Sequence, residues 1–307
     1  MSSRRFSGGS SAEEPLNDLA GRGDVPHLGD HLSRLYSIWP WPADPWSEEG
    51  RARYEEAVKK FQSLLEHEWL SRLVGDRRTV RVLDVCGGTG IGGVALAKVL
   101  SSRGLGVEFT IVDLRREALE VAKRFGTEEL GSVRVEMADA TRLWELGLRA
   151  DLALIYGFST PHFNPWDMVR LLSSVADSLS DDGVLIVEEV DRTYTIFYLR
   201  GYKEWLAEGV GEDRLFVTVH AGYDFRKGVF KRVAVDLLRG VGPIPHEARL
   251  WDLAGVMALA WTLFEDVDFV PWERPWSGFI LARAPSRKLG SSDFVRVPRA
   301  LSGGKEG

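Results

Sequence analysis

The chain has 307 residues, 44% hydrophobic and 27% charged, with a formal net charge of −6, a balance typical of globular rather than fibrous or membrane-embedded proteins. That charge provides no global basic field of the kind nucleic-acid binders use, and no apolar run is long enough to span a bilayer. One cysteine, Cys86, excludes an internal disulfide, and with no apolar-centred leader in "MSSRRFSGGSSAEEP" the expected location is cytoplasmic.

Residues 1–25, rich in Ser, Gly and charge, read as a disordered tail. Residues 26–78 read as an N-terminal helical segment. It starts with the aromatic, proline-rich "LYSIWPWPADPW". The stretch "RARYEEAVKKFQSLLEHEWL" then places Tyr54, Val58, Phe61 and Leu65 on one face of an amphipathic helix. Most of the eleven tryptophans are expected to fill the core or close interfaces.

From residue 80 strand and helix signals alternate. Val80–Val85 reads as a strand and Gly92–Leu100 as a helix. Residues 107–113 form a second strand, followed by a helix showing Ala118, Val121, Ala122 and Phe125 on one face and stopped by Gly126. Residues 133–139 and 150–157 are further strands. Asn164-Pro165 opens a helix bearing Met168, Leu171, Leu172, Val175 and Leu179, and Asp182-Gly183 turns into a fifth strand, 184–190. Apolar strands alternating with helices imply a parallel sheet covered on both faces. Residues 79–191 are therefore the expected core.

After Asp191 the rhythm changes. Residues 192–249 read as a cap insert, with a helix in "TIFYLRGYKEWLAEG" and a hairpin formed by "LFVTVHAGYD" and "GVFKRVAVDLLRG". Residues 250–285 supply a helix and an antiparallel pair, "EDVDFV" and "SGFILARA", that end the core sheet, and 286–307 reads as a flexible tail. The expected fold class is α/β. It is doubly wound, with a mainly parallel seven-stranded sheet, an antiparallel last strand, an N-terminal helical segment and an α/β cap.

The loop after the first strand, in "VRVLDVCGGTGIGGVALAKVL", carries the chemistry. Gly88, Gly90 and Gly93 satisfy G-x-G-x-x-G and Asp113 ends the second strand, which is the dinucleotide pattern of an NAD(P)-dependent oxidoreductase. That reading leaves three features without a role: Asp84 ahead of the glycines, Asp139 at the end of the third strand, and the closing strand pair. With them, residues 78–190 and 264–284 resemble the class I S-adenosylmethionine-dependent methyltransferases.

The resemblance implies S-adenosyl-L-methionine as cofactor, held by Asp84 and the loop Cys86, Gly87, Gly88, Thr89 and Gly90, with Cys86 standing where the family has its first glycine. It assigns the ribose hydroxyls to Asp113, followed by Leu114. The adenine amino group goes to Asp139 and the ring to Ala140, while Tyr156, with Gly157, faces the methyl group. Acceptor-only carboxylates suit a diol and an exocyclic amine. Glycines let backbone N–H groups approach a methionine carboxylate at a helix start. On that assignment Asp113→Ala costs cofactor affinity and leaves the fold intact.

The implied reaction is methyl transfer to an O or N nucleophile on a small molecule. The alternatives are the oxidoreductase and a non-catalytic S-adenosylmethionine-binding module. His162, after the fourth strand in "STPHF", is the candidate catalytic base. Glu188, Glu189 and Asp191 either reach the pocket or pair with Arg192. His220, Tyr223 and Arg232 either contact the acceptor or pack the cap, and Tyr36 and Trp39 either fold over the cofactor or anchor the N-terminal segment. The segment "YGFSTP" differs from the Asn/Asp-Pro-Pro-aromatic motif of amide and exocyclic-amine methylating members. There is no His/Cys/acid cluster with metal spacing, hence no metal. The expected partner is a small-molecule acceptor, with no membrane and no clear nucleic-acid site; oligomeric state stays open.

Overall fold

The structure, a computed structural model, describes residues 25–301. The expected N-terminal tail, 1–25, lies outside the described residues except for Val25, as do 302–307 of the expected C-terminal tail. In chain order the helices are α1 (Val25–Ile38), α2 (Glu48–Leu64), α3 (Glu68–Gly75), α4 (Ile91–Ser102), α5 (Arg116–Leu130), α6 (Pro165–Ser178) and α7 (Leu253–Trp261). The strands are β1 (Thr79–Val85), β2 (Gly106–Asp113), β3 (Arg134–Met137), β4 (Ala150–Ile155), β5 (Leu179–Val190), β6 (Trp205–Val210), β7 (Leu215–Asp224), β8 (Val229–Asp236), β9 (Val241–Ala248), β10 (Phe264–Trp272) and β11 (Arg274–Pro285).

Seven strands form one sheet in the order β10-β11-β5-β4-β1-β2-β3. Its central pairs are parallel, and β11 runs antiparallel to both β5 and β10. Because side chains alternate across a strand, Val82 packs into one apolar layer with Phe61, Leu96 and Phe125, while Leu83 packs into the other with Leu172, Val175 and Leu263. Both faces are thus covered, which is why β4 is buried from end to end. The strand order reverses between β1 and β4, so the crevice beyond their carboxyl ends is the natural ligand position.

The chain departs from the sequence reading in five places. The helix expected over 51–70 is two helices, since the chain breaks after Leu64 and His67 caps α3 by accepting from Trp69 N. Gly126 does not stop α5, which runs on to Gly131; a side chain at 126 would press on Val133, so this glycine permits a close helix–strand contact. In "TIFYLRGYKEWLAEG" only Thr193–Leu199 is helical, as a wide turn, and Trp205–Val210 is strand β6. Gly201, at φ +65°, follows the helical turn, and pairing with β7 supplies backbone partners that outweigh helix preference.

The expected hairpin is accordingly a four-stranded antiparallel sheet, β6-β7-β8-β9. Its edge strand β9 contains Pro243 and Pro245, residues that hide a strand from propensity reasoning yet are tolerated at an edge. Finally, residues 286–294 pack rather than trail. Arg287 donates to the Ala176 and Leu179 carbonyls at the end of α6 (2.7 and 2.6 Å), Ser291 N–H donates to Asp177 (2.8 Å), and Phe294 packs on the second core layer. A basic side chain on orphan helix carbonyls is a favourable C-terminal cap.

The inner face of the small sheet places Phe216, Ala234 and Ile244 against Leu35 and Ile38 of α1, with Trp39 alongside. On its other side α1 presses Gly29 onto the Leu114 carbonyl, where a Cβ would lie 2.5 Å away. One helix therefore joins the small sheet to the rim of the large one.

Candidate functional site

The crevice is built from the turn between β1 and α4. Gly88 and Gly90 sit at φ +56° and +84°, and Cys86 adopts the same left-handed conformation at φ +58°. This is a position that favours glycine, and the cysteine bears a steric cost there. A Cβ on Gly87 would lie 2.5 Å from Asp84 Oδ2, and one on Gly92 would strike the Tyr156 ring. The turn therefore closes only with glycine at those two places, and it aims the first, unpaired N–H groups of α4 at the crevice.

Beneath the turn, Asp84 is buried and neither carboxylate oxygen has a hydrogen-bond partner among the described residues. Burial, and secondly the neighbouring Asp113 charge, push its pKa up to about 8. The Cys86 thiol is held well above its ordinary value by burial and then by the charges of Asp113, Asp139 and Asp84. A thiol so shielded is no nucleophile.

The crevice is narrow and open at its mouth, with about 460 Å³ of empty space once the solvent at the mouth is included. Asp84, Cys86, Gly87, Gly88, Thr89 and Tyr156 line it, and Tyr36, Trp41, Arg53 and Arg115 join them. Thr89 donates to Ala43 O (2.6 Å), tying the N-terminal segment over the loop. Gly90 caps α4 from behind, close to Ile111 and Ala122.

Asp113 is already engaged. Its Oδ2 accepts from Gly88 N–H (2.8 Å), and its Oδ1 accepts from the Arg115 backbone N–H and Nε (2.9 and 3.2 Å). The Arg115 guanidinium lies over the Tyr36 ring, 4.3 Å from its centre, and Tyr36 Oη meets His162 Nε2 at 2.8 Å. Burial first, then the charges of Arg115, Arg192 and His31, lower the His162 pKa to about 4. The residue as a whole remains exposed to solvent. Burial raises Tyr36 to about 12.

The remaining candidates separate cleanly. Asp139 caps a 3-10 turn, Oδ1 accepting from Thr141 N–H and Oγ1 (both 2.8 Å), and Ala140 is packed in the core; neither lines the cavity. Glu188 accepts from Lys60 Nζ (2.8 Å) and Gly157 N–H (3.0 Å). Glu189 pairs with Arg192 and accepts from Thr160 Oγ1. Asp191 accepts from Tyr194 and Leu253 N–H. Tyr223 packs edge-on against Phe230, and Tyr202 Oη meets His220 Nδ1 at 2.7 Å. Trp39 anchors α1, packing edge-on to Phe216 and His246.

Sequence reasoning missed Arg53 and Arg115. Arg53 sits beside Tyr54 on α2, off the apolar stripe, and stacks on Trp41 (4.5 Å). Arg115 follows the acid-ending strand by two residues, a position that carried the only available signal. Among the described residues no His/Cys/acid group has metal-site geometry, and no helix is long and apolar enough to cross a membrane.

The donor set suits a ligand with three chemical faces. The orphaned Asp84 carboxylate favours a cationic centre, Asp113 has lone pairs for a diol, and the glycine turn with the α4 N-terminus favours an anionic group. These are the three faces of S-adenosylmethionine.

Comparison with known proteins agrees. The family model described as a methyltransferase domain matches residues 82–183. No curated protein sequence matches the chain. Among solved structures, the CcbJ methyltransferase from Streptomyces caelestis is similar at 15% identity and TM-score 0.59, covering 86% of this chain and all of that one. The PH0226 protein from Pyrococcus horikoshii OT3 is similar at 19% identity and TM-score 0.55, covering 82% and 98%. An S-adenosylmethionine-dependent methyltransferase from Clostridium acetobutylicum ATCC 824 is similar at 16% identity and TM-score 0.54, covering 76% and 92%. At these identities the solved structures speak for the fold.

Proposed function

The chain is an S-adenosylmethionine-dependent methyltransferase of class I architecture, and we propose that it methylates an O or N nucleophile on a small molecule, with His162 as the base. The carrying observation is the juxtaposition of the glycine-walled cavity above Asp84 with the Tyr36–His162 pair at its rim.

Asp84, Gly87, Gly88 and Asp113 are assigned to the cofactor together with Cys86, Thr89 and Tyr156 of the same cavity, and Gly90 and Leu114 beside it. Asp139 and Ala140 are assigned to the adenine end, where the second Asp139 oxygen is left over from capping. When bound, S-adenosylmethionine supplies a methyl group already activated by its sulfonium. The protein's share is alignment and proton handling.

His162 is neutral at pH 7, so a ring nitrogen is available as a base. In the tautomer that leaves Nε2 bare, Tyr36 donates to it. The acceptor's proton then passes to Tyr36 Oη as the Tyr36 proton passes to Nε2, because a phenol with a pKa near 12 relays a proton without resting ionised. The Arg115 guanidinium lies over the Tyr36 ring and steadies it. The segment 192–249, tied to the loop after β4 by Arg249 N–H donating to Pro161 O (2.9 Å), is read as the acceptor cap.

The test pairs binding with transfer. Calorimetry is expected to show S-adenosylhomocysteine binding, and labelled methyl from S-adenosylmethionine should enter the small-molecule fraction of an extract. His162→Ala should keep the binding and lose most of the transfer. Label entering protein or RNA alone would overturn the small-molecule assignment, and unchanged turnover in His162→Ala would remove the base.

A further inference from the structure

Two arginines line the crevice, and they differ in what they hold. Arg115 is spent on Asp113. Arg53, which lines the same crevice beside Asp84, Tyr156 and Gly157, forms no ion pair among the described residues. Its hydrogen bond there runs from Nη1 to Pro42 O (3.2 Å), which leaves Nε and Nη2 without an acceptor. The carboxyls whose fields reach it, Glu188 and Asp84, do not take those protons. Glu188 accepts from Lys60 Nζ and Gly157 N–H, and Asp84 has no partner among the described residues.

The Arg53 side chain is nonetheless fixed. Its guanidinium lies 4.5 Å from the centre of the Trp41 ring and 5.4 Å from that of Tyr156. A Cβ on Gly157, at φ +84°, would come within 2.6 Å of Nη2, so glycine at the exit of β4 is what lets the guanidinium settle there. A planar donor fork already held in place loses little freedom on meeting an oxyanion. Burial lowers the pKa of this group. The cation has given up solvent without gaining a counter-ion, an arrangement that costs free energy until an anion arrives.

The position of Arg53 along the sheet decides which anion. In the order β5-β4-β1-β2-β3, Asp113 ends β2 and Asp139 follows β3, so the diol and the adenine are assigned to that side. Arg53 stands on the other side, with Asp84 at the end of β1 and Gly157 after β4. The part of S-adenosylmethionine left for that end is its amino acid, which carries a cation and an anion on one carbon. The orphaned Asp84 carboxyl matches the cation, and the open fork of Arg53 matches the carboxylate.

We propose that Arg53 is the residue that reads the carboxylate of the cofactor, and that it sets the preference of the crevice for the intact amino-acid cofactor over a decarboxylated one. This rests on the assignment of the crevice to S-adenosylmethionine, and the choice of probes separates the two.

Calorimetry on the full chain compares S-adenosylhomocysteine with S-adenosyl-3-thiopropylamine, which differs from it only in lacking the carboxylate, and with 5′-methylthioadenosine, which lacks the whole amino acid. Wild-type protein should bind S-adenosylhomocysteine at least about tenfold more tightly than the thiopropylamine, the scale of one lost charge-assisted hydrogen bond. Arg53→Gln should weaken S-adenosylhomocysteine by the same factor, abolish its advantage over the thiopropylamine and leave methylthioadenosine unchanged. Arg53→Lys, which restores the charge without the fork, should recover part of the loss. Methylthioadenosine weakened as much as S-adenosylhomocysteine in Arg53→Gln would make the arginine a structural prop and overturn the proposal. Unchanged S-adenosylhomocysteine binding in that variant would overturn it too. So would a wild-type protein that binds the thiopropylamine as tightly as S-adenosylhomocysteine, a comparison that needs no variant to fold. Failure of all three ligands to bind the wild type would instead strike the cofactor assignment.

Discussion

Arg115 clasps Asp113 from two sides of one oxygen, through its backbone N–H at 2.9 Å and its Nε at 3.2 Å, while Gly88 N–H takes the other oxygen at 2.8 Å. The carboxylate assigned to the ribose is therefore also a structural tie across the glycine turn.

Asp113→Ala consequently does more than the sequence reading expects. It should weaken S-adenosylhomocysteine at least tenfold, and it should also destabilise the unliganded protein by about 1–3 kcal/mol, the usual cost of leaving a buried donor such as Gly88 N–H unpaired. Calorimetry and urea unfolding of the same variant check both. Lost affinity with unaltered stability would show that the tie carries no weight.

His162 bears on pH. Between about 4 and 6.5 the unfolded chain binds a proton that the folded imidazole refuses, so this ring's contribution is complete above 6.5 and is lost as pH falls toward 4. His246, also lowered to about 4 by burial and by His162 and Arg232, acts in the same direction. Unfolding followed across that window should show stability rising with pH, less steeply in His162→Gln. The acid limb of kcat/KM should fall near 4; a limb near 6.5 would mean the ring is freely solvated.

Asp84 has the opposite sign. From about 4 to about 8 the folded protein retains a proton that the unfolded chain has released, so stability drops as pH climbs through that interval. Asp84→Asn should flatten the decline and raise the melting temperature of the unliganded protein at pH 8, while weakening S-adenosylhomocysteine. An unchanged slope would indicate that the carboxyl is ionised throughout.

Cys86 occupies a left-handed position on a turn. Cys86→Gly relieves the strain but loosens the unfolded chain, so the net change should stay within about 1 kcal/mol. Cys86→Val, β-branched at the same φ, should cost about 2 kcal/mol or more. The native thiol should react with iodoacetamide far more slowly than in urea. Equal rates would contradict its shielding.

The sequence was most legible where a single periodicity rules. β1, β2, β4 and β5 declare themselves because both faces of each are apolar, and Asn164-Pro165 marks the start of α6 through its own side chain, which accepts from Trp166 and Asp167 N–H. It was least legible where tertiary contacts decide. Gly126 is a stop by composition but a packing residue by position, and β6 becomes a strand only because β7 is beside it. In the site, Asp84 and the glycines lie on contiguous chain and could be read. Arg53 and Tyr36 arrive from two distant segments, and their meeting is set by how α1 and α2 dock. Asp139 shows the converse: it stands where a site acid should, yet one oxygen is occupied with capping.

The helix α1 touches the Leu114 carbonyl through Gly29 and the small sheet through Leu35 and Ile38, and it carries Tyr36 between them. A rod wedged at both ends cannot slide against one neighbour alone. The docking of the small sheet on α1 therefore also fixes how the Tyr36 ring lies against Arg115 at the rim of the crevice.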